Sequence, residues 1–394
     1  MKYNFDKKIN RKNTNSEKFD FAADFGKSDG LLPMWIADMD FEVLPQITQA
    51  IKKRASHAVY GYTEPKDDYF EAVISWFGNR FNFDIKKEWI VKNPGVISAI
   101  CCAVRAFTNP SDAVLIQPPV YYPFARSVIL NKRKLVNNPL VYADGRYFID
   151  FEDFERKIVE NKVKLFIFCS PHNPVGRVWT KDEVKRICEI CFKHKTIIFS
   201  DEIHCDFILP PHKHTIAATI SPKYLPLIIT ATAPSKTFNI AGLIVSNIII
   251  QNEKLRKLFV KERYASGLNM VNAFGIVAAK AAYTYGGSWV DQLNSYIRSN
   301  FDYAEGFIKK HMPQIKFIKP EGTYLLWLDC HGLKLGKKDL IELIENKAKL
   351  WVDEGEIFGI EGSGFIRLNL ACPAATVKKA LKQLKTAIDS ISDR

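Results

Sequence analysis

The middle of the chain alternates short apolar runs with segments of helical periodicity. Five runs rich in β-branched residues are flanked by Pro, Gly, Asn or Asp, which is the pattern of buried β-strands. The runs are AVLIQPPV (113–120), KLFIFCSP (164–171), TIIFSDEI (196–203), PLIITATA (226–233) and LIVSNIII (243–250).

A helix is predicted between the second and third of these runs. The segment TKDEVKRICEICFKHK is amphipathic, and Thr180 followed by Glu183 forms a capping box at its start. Strand–helix–strand alternation favours a mostly parallel sheet that is covered by helices on both faces. The pattern therefore predicts an α/β fold for this part of the chain.

The last third of the chain has a different pattern. After YTYGGSWVDQLNSY, a long helix is followed by GTYLLWLD as a strand, another helix and GFIRLNLA as a strand. This order is typical of a smaller α+β domain. We predict a large domain at 46–285, a small C-terminal domain at 286–394, and an N-terminal arm at 1–45 that packs with the small domain.

Charge and hydropathy argue against nucleic-acid-binding, secreted and membrane-spanning proteins. The 394 residues include 56 Lys+Arg and 43 Asp+Glu, for a net charge of +13. The lysines are scattered rather than interleaved with aromatic residues, so we expect no nucleic-acid partner. The polar N-terminus lacks the apolar segment of a signal peptide, and no apolar stretch is long enough to span a bilayer. We therefore expect a cytoplasmic protein without a membrane partner.

The eight cysteines are expected to be reduced thiols rather than a disulfide framework. Cys188 and Cys191 form a C-x-x-C pair, but they lie inside the predicted amphipathic helix. A zinc site needs a second pair of ligands, and none follows at a suitable spacing. We therefore predict no metal site.

In an α/β sheet of this kind, ligands bind at the carboxyl ends of the strands. The residues that follow each strand are therefore the candidates for chemistry. Gly95 precedes an apolar helix whose N-terminus favours an anion. Tyr121 and Tyr122 each offer a ring that can cover a planar ligand. Asn173 lies between two prolines, which stiffen the loop and fix the direction of its amide.

Asp201 and Lys236 add a carboxylate and an amine at the ends of two further strands. Asp201 stands at the end of a very apolar run. Burying a carboxylate there costs free energy unless it pairs with a cation or a hydrogen-bond donor. Lys236 is the only charged residue in TATAPSKTFNIAGL. An anion cradle, an aromatic ring, an amide, a carboxylate and a lysine are what a protonated pyridine ring with a phosphate and an aldehyde requires. The combination predicts pyridoxal 5′-phosphate (PLP), linked to Lys236 and paired with Asp201 at the ring nitrogen.

With these residues in place, the chain resembles a fold-type I PLP-dependent enzyme of the class I/II aminotransferase superfamily. The motifs HNPVG, SDEIHCDF and APSKTFNIAGL look most like the MalY/PatB-like branch of cystathionine β-lyases, or cysteine-S-conjugate β-lyases. The resemblance extends from LLPMWIADMDF (31–41) to GFIRLNLACP (364–373). It implies that the large domain contains a seven-stranded, mostly parallel sheet.

The resemblance implies a role for each residue at the predicted reaction centre. Lys236 forms the covalent link to PLP and, once released, is the base at the substrate Cα. Asp201 pairs with the ring nitrogen, and Asn173 binds the phenolic oxygen of the ring. Tyr121 stacks on the ring and is a candidate acid for the leaving thiolate. Arg367 grips the substrate α-carboxylate with a bidentate fork.

The resemblance also implies a phosphate site shared between two subunits. A tyrosine of the neighbouring chain reaches the phosphate in such enzymes, and this implies a homodimer. The predicted phosphate site consists of Ser235, the backbone around Gly95, Val96 and Ile97, and Tyr62 of the neighbouring subunit.

Two positions depart from the aminotransferase pattern and match the lyase branch. Many class I aminotransferases carry a phosphate-binding arginine eight residues after the lysine, and this chain has Ile244 there. A tyrosine often stands three residues after the aspartate, and this chain has His204, a candidate for orienting the ring. Thr232 is a candidate to help bind the phosphate in place of the arginine.

The predicted reaction is β-elimination from L-cystathionine or a related cysteine S-conjugate, which yields a thiol, pyruvate and ammonia. An aminotransferase acting on L-amino acids stays open as an alternative, since it uses the same scaffold. A PLP-binding regulatory protein is a third hypothesis, although no segment the size of a helix-turn-helix precedes residue 31. The leaving group also stays open among cystathionine, cysteine, cystine and bulkier S-conjugates.

Overall fold

The computed structural model of the protein describes residues 2–392. Its strands form four sheets, of two, seven, four and two strands. The strands are β1 (Leu32–Pro33), β2 (Ile90–Asn93), β3 (Ala113–Ile116), β4 (Lys134–Asn137), β5 (Val141–Ala143), β6 (Arg146–Phe148), β7 (Leu165–Cys169), β8 (Ile197–Asp201), β9 (Ile228–Thr232), β10 (Ser246–Ile249), β11 (Lys316–Phe317), β12 (Leu325–Asp329), β13 (Leu350–Trp351), β14 (Asp353–Glu354) and β15 (Phe365–Asn369).

The helices surround these sheets and connect most of the strands. They are α1 (Glu17–Asp20), α2 (Pro45–Ser56), α3 (Asp67–Phe81), α4 (Val96–Phe107), α5 (Pro123–Ile129), α6 (Phe151–Asn161), α7 (Lys181–Lys193), α8 (Pro234–Thr237), α9 (Glu253–Ala265), α10 (Ala273–Tyr285), α11 (Gly287–His311), α12 (Lys337–Glu342) and α13 (Ala374–Ser392). Among the described residues, no helix combines the length and the apolar character needed to cross a membrane.

The predicted seven-stranded, mostly parallel sheet is confirmed. Its strand order is β2-β10-β9-β8-β7-β3-β4, and every pair from β9 to β4 is parallel. Strand β10 is the exception, because it pairs antiparallel with both β2 and β9. The run LIVSNIII is also shorter as a strand than its apolar pattern suggests. Leu243 belongs to a short 3-10 turn and Ile244 has a left-handed φ of 48°, so pairing begins only at Ser246.

The predicted capping box at the start of α7 is confirmed. The Thr180 hydroxyl accepts from the backbone N–H of Glu183 at 3.2 Å, and the Glu183 carboxylate accepts from the N–H of Thr180 at 2.7 Å. Cys188 and Cys191 are buried in this helix. Within residues 2–392, no group of three or more His, Cys, Asp or Glu side chains is arranged to hold a metal ion.

The large sheet is buried on both faces because successive side chains of its strands enter opposite apolar layers. In β7, Leu165 and Ile167 pack in the layer that contains α4 and α5. Phe166 and Phe168 point the other way, into the layer with α6 and α7. Such two-sided burial is typical of parallel strands covered by helices. It leaves the strand ends as the accessible part of the sheet.

The four-stranded antiparallel sheet β11-β12-β15-β14 lies in the last third of the chain. Strand β1, near the N-terminus, pairs with β13 of this region, and the Trp35 ring stacks on Trp351 at 4.4 Å between centroids. The N-terminal segment therefore contacts the C-terminal part. The domain boundaries near residues 45 and 286 stay predictions.

Candidate active site

Three adjacent strands end side by side and bring the candidate residues to one edge of the sheet. Cys169, Asp201 and Ala231 are Cα partners on β7, β8 and β9. Asn173 follows β7 by four residues, and Lys236 follows β9 by four residues. Because parallel strands share the direction of their carboxyl ends, these side chains converge.

Lys236 lies in the short helix α8 and is half-buried. Its Nζ donates to the backbone carbonyl of Ala37 at 2.7 Å. Burial lowers the pKa of the amine to about 8; the charge of Arg367 acts in the same direction, against Asp38 and Asp201. A substantial fraction of this amine is therefore neutral near physiological pH, as a nucleophile or base requires.

Asp201 is the last residue of β8 and is only 5% exposed. Its Oδ1 accepts from the backbone N–H of Ile203 at 3.2 Å. Burial raises the pKa of this carboxyl to about 7, and the hydrogen bond from Ile203 and the charge of Lys236 only partly oppose that shift. A bound cation that carries a proton would relieve this cost.

Asn173 and Arg367 contact each other although they are distant in sequence. Arg367, on β15, donates from Nη1 to Oδ1 of Asn173 at 2.9 Å. The backbone N–H of Asn173 donates to the sulfur of Cys169 at 3.4 Å, which fastens the loop. With Oδ1 used in this way, the Nδ2 amide group of Asn173 is the donor left to a ligand.

Tyr121 and His204 both lie close to the charged residues of this group. Tyr121 is half-buried, and its backbone N–H donates to the carbonyl of Asn173 at 3.1 Å. His204 is buried, and its Nδ1 has no hydrogen-bond partner among the described residues. Burial lowers the pKa of His204 to about 3, with the charges of Lys236 and Arg367 acting in the same direction. His204 is therefore neutral in the site.

The predicted phosphate cradle is an open helix N-terminus. Gly95 precedes α4 with a φ of +83°, a conformation that a residue with a Cβ adopts only with strain. No side chain caps α4, so its first N–H groups, at Val96 and Ile97, are available to an anion. Ser235 is half-buried in α8. Ile244 lies beside Gly95, 3.8 Å from where a Cβ would be.

Two further sequence candidates for the phosphate site are Tyr62 and Thr232. Tyr62 is 95% exposed in a segment without regular secondary structure. Thr232 is buried, and its hydroxyl donates to the carbonyl of Asn247 on β10 at 3.2 Å. The hydroxyl of Thr232 is therefore already used within the sheet.

The sequence analysis missed a segment that lines the site, residues 34–41. The carbonyl of Ala37 accepts from Lys236 and also from the hydroxyl of buried Tyr324 at 2.9 Å. The carbonyl of Trp35 accepts from Nη2 of Arg367 at 3.0 Å. Backbone carbonyls carry no sequence signal, so only the fold reveals them.

A second residue that the sequence analysis missed is Asp353 on β14. Its carboxylate forms a buried ion pair with Arg367. An acidic residue directly after the apolar residues LWV (350–352) was the available signal. A buried carboxylate requires a cationic partner, but the partner could not be identified without the strand register.

The residues present fit PLP. The cofactor needs an amine, a partner for a protonated ring nitrogen, a donor to its phenolic oxygen, and a phosphate cradle. Lys236, Asp201, Asn173 and the open N-terminus of α4 supply these groups. The raised pKa of Asp201 is the sharpest sign of fit, because burial outweighs the nearby charge of Lys236 and a protonated ring nitrogen would give this carboxyl a direct cationic partner.

Comparison with known proteins identifies the family. Residues 31–384 match the model of the aminotransferase class I and II family. Cystathionine β-lyase PatB of Bacillus subtilis is 43% identical over 98% of this chain and 100% of its own. Protein MalY of Escherichia coli is 31% identical over 99% of this chain and 100% of its own.

A solved structure agrees with these relatives. Cystalysin from Treponema denticola, whose crystal structure contains a pyridoxal 5′-phosphate cofactor, superimposes with a TM-score of 0.96. It is 40% identical and covers 99% of this chain and 100% of its own. The chain belongs to the aminotransferase class I and II family and, within it, to the MalY/PatB-like branch that its motifs predict.

Proposed function

We propose that the protein is a PLP-dependent carbon–sulfur β-lyase that cleaves L-cystathionine or a related cysteine S-conjugate. The observation that carries the proposal is the convergence of Lys236, Asp201, Asn173 and Arg367 at one edge of the sheet. The full-length similarity to a cystathionine β-lyase supports the choice of reaction. When bound, PLP supplies an electron sink that stabilises negative charge at the substrate Cα.

The chain's own residues hold the cofactor and move the protons. Asp201 would accept a hydrogen bond from the protonated ring nitrogen, and Nδ2 of Asn173 would donate to the phenolic oxygen. The α4 N-terminus and Ser235 would hold the phosphate. Lys236, whose pKa is lowered to about 8, takes the proton from the substrate Cα.

The substrate side of the site is formed by Arg367, His204 and Tyr121. Arg367 would bind the substrate α-carboxylate, while neutral His204 would pack near the cofactor ring and Tyr121 would cover it. As the Cα proton leaves, the bond from Cβ to sulfur breaks and the thiolate takes its electron pair. The hydroxyl of Tyr121 is our candidate to protonate that sulfur. The remaining three-carbon fragment takes up water to give pyruvate and ammonia.

A direct assay tests the reaction. We expect the PLP-loaded protein to release pyruvate and a free thiol in equal amounts from L-cystathionine with no keto acid present. Pyruvate is measured with lactate dehydrogenase and the thiol with a chromogenic disulfide. An aminotransferase would require a keto acid and would release no thiol, so keto-acid dependence without thiol would replace the lyase by that alternative.

We further propose that the protein is a homodimer in which Tyr62 completes the neighbouring phosphate site. Val59, Tyr60 and Tyr62 are 63%, 61% and 95% exposed on one segment. The Tyr60 ring contacts Phe274 at 5.7 Å between centroids, and Met270 in the same region is 49% exposed. Exposed apolar residues grouped in this way are typical of an interface.

Hybrid dimers test this arrangement. Coexpression of Lys236→Ala and Tyr62→Ala chains with different tags allows the hybrid to be isolated. One of its two sites then contains both Lys236 and a partner Tyr62, so we expect about half of the wild-type activity at limiting PLP. A hybrid as weak as the Tyr62→Ala homodimer would contradict a shared site.

The proposed location is the cytoplasm. All eight cysteines are unpaired and seven of them are buried. Unpaired thiols in this number are typical of a reducing compartment.

A further inference from the structure

Arg367, which is proposed to bind the substrate carboxylate, is already paired with a carboxylate of its own chain. Asp353 lies directly opposite Arg367, as its Cα partner on the neighbouring strand β14. The two side chains form an ion pair, and the residues are only 8% and 3% exposed. The pairing is therefore built into the register of the small sheet.

The hydrogen bonds of Arg367 show how fully its guanidinium is used. Nη1 donates to Asn173, while Nη2 donates to Asp353 and to the carbonyl of Trp35. Nε is buried and has no partner among the described residues. A guanidinium offers paired N–H groups on two edges, one formed by Nε and Nη2 and the other by Nη1 and Nη2. Both edges include Nη2, and both of its hydrogens are engaged.

We propose that Asp353 is a specificity-determining residue that competes with the substrate α-carboxylate for Arg367. The proposal rests on the function proposed above. A bidentate carboxylate gains Nη2 only by displacing Asp353 or the Trp35 carbonyl. If Asp353 stays close, the incoming carboxylate still meets a like charge on the same guanidinium.

The competition distinguishes ligands that have a second binding group from ligands that bind through their carboxylate alone. An amino-acid substrate also has an amine that reacts at the cofactor, so it can overcome the internal carboxylate. Pyruvate has a carboxylate and no amine, so it depends on Arg367 alone. Asp353 therefore speeds loss of the lyase product. It also disfavours the capture of a keto acid, which an aminotransferase needs for its second half-reaction.

Pyruvate binding to the PLP-loaded enzyme tests this inference by calorimetric titration. Asp353→Asn keeps the volume and an oxygen acceptor but removes the charge, and we expect it to lower the Kd of pyruvate about tenfold. Asp329→Asn is the matched control. Asp329 is also buried in the same sheet, but it pairs with His331 and Tyr142, so its replacement is expected to leave the Kd unchanged.

An Arg367→Lys variant separates failure of this inference from failure of the proposed function. If that variant weakens pyruvate binding while Asp353→Asn leaves it unchanged or weaker, the competitor role is wrong and the role of Arg367 stands. If Arg367→Lys binds pyruvate as wild type does, both are wrong. Asp353→Ser, titrated in the same way, replaces the asparagine variant if the latter does not fold.

Discussion

Replacing Lys236 by alanine is expected to abolish both pyruvate release and covalent attachment of PLP. Lys236 combines an amine whose pKa is lowered to about 8 with a position at the carboxyl end of β9. As the proposed link to PLP and the base at Cα, it performs two steps, so we expect a loss of at least about 10⁴-fold in kcat. Pyruvate release measures the first effect. The mass of borohydride-reduced protein measures the second, because it includes the cofactor only when a lysine has reacted.

Lys92→Ala is the matched control for this variant. Lys92 is also half-buried, and burial together with the Arg263 charge lowers its pKa to about 8. Its Nζ pairs with Glu64 rather than with the candidate site. A reactive amine alone therefore does not distinguish the two lysines, and their position does. If Lys236→Ala kept activity within tenfold of wild type, or still gained the mass of PLP, the assignment would be wrong.

The positions that sequence analysis could identify are those whose chemistry conflicts with their local pattern. Asp201 and Lys236 are charged residues at the ends of apolar runs, and Asn173 is held between prolines. Such residues indicate a ligand because burial without a partner is costly. The strands themselves could be predicted because their apolar side chains face two buried layers, as Phe166 and Ile167 do on opposite faces of β7.

The remaining part of the site depends on long-range register, which sequence periodicity does not contain. The Ala37 carbonyl reaches Lys236 across 199 positions of the chain. Asp353 meets Arg367 only because β14 and β15 pair with these two residues opposite each other. The reversed direction of β10 is likewise invisible in its composition, since a buried antiparallel strand and a buried parallel strand are equally apolar.

Replacing Asp201 by asparagine is expected to lower kcat about 10³-fold while leaving covalent attachment at Lys236 intact. The carboxylate of Asp201 is the proposed partner of the ring nitrogen, and a neutral amide does not hold a proton there as firmly. The loss should therefore appear in the chemical step rather than in cofactor capture. Pyruvate release and the mass of the reduced protein measure these two properties separately. Loss of both would indicate a damaged site instead.

The free energy of unfolding of the apoenzyme gives an independent measure of the raised pKa of the Asp201 carboxyl. Burial raises its pKa from 3.8 to about 7. Between these pH values the folded protein holds a proton that the unfolded chain has released, so the contribution of Asp201 to stability is lost as the pH rises through this window. The variant has no such loss. Urea denaturation at pH 8 should find the apo variant more stable than apo wild type by roughly 2–4 kcal/mol, with no difference near pH 4.

PLP should act in the opposite direction, because its protonated ring nitrogen would give the wild-type carboxylate a cationic hydrogen-bond partner. We expect saturating PLP to raise the Tm of wild type more than that of Asp201→Asn at pH 8. Equal shifts in the two proteins would contradict pairing of Asp201 with the ring nitrogen, even if the variant were inactive. A residue that destabilises the apoenzyme and stabilises the PLP-loaded enzyme is retained for its ligand. The urea and Tm measurements together distinguish this ligand-binding role from a role in packing.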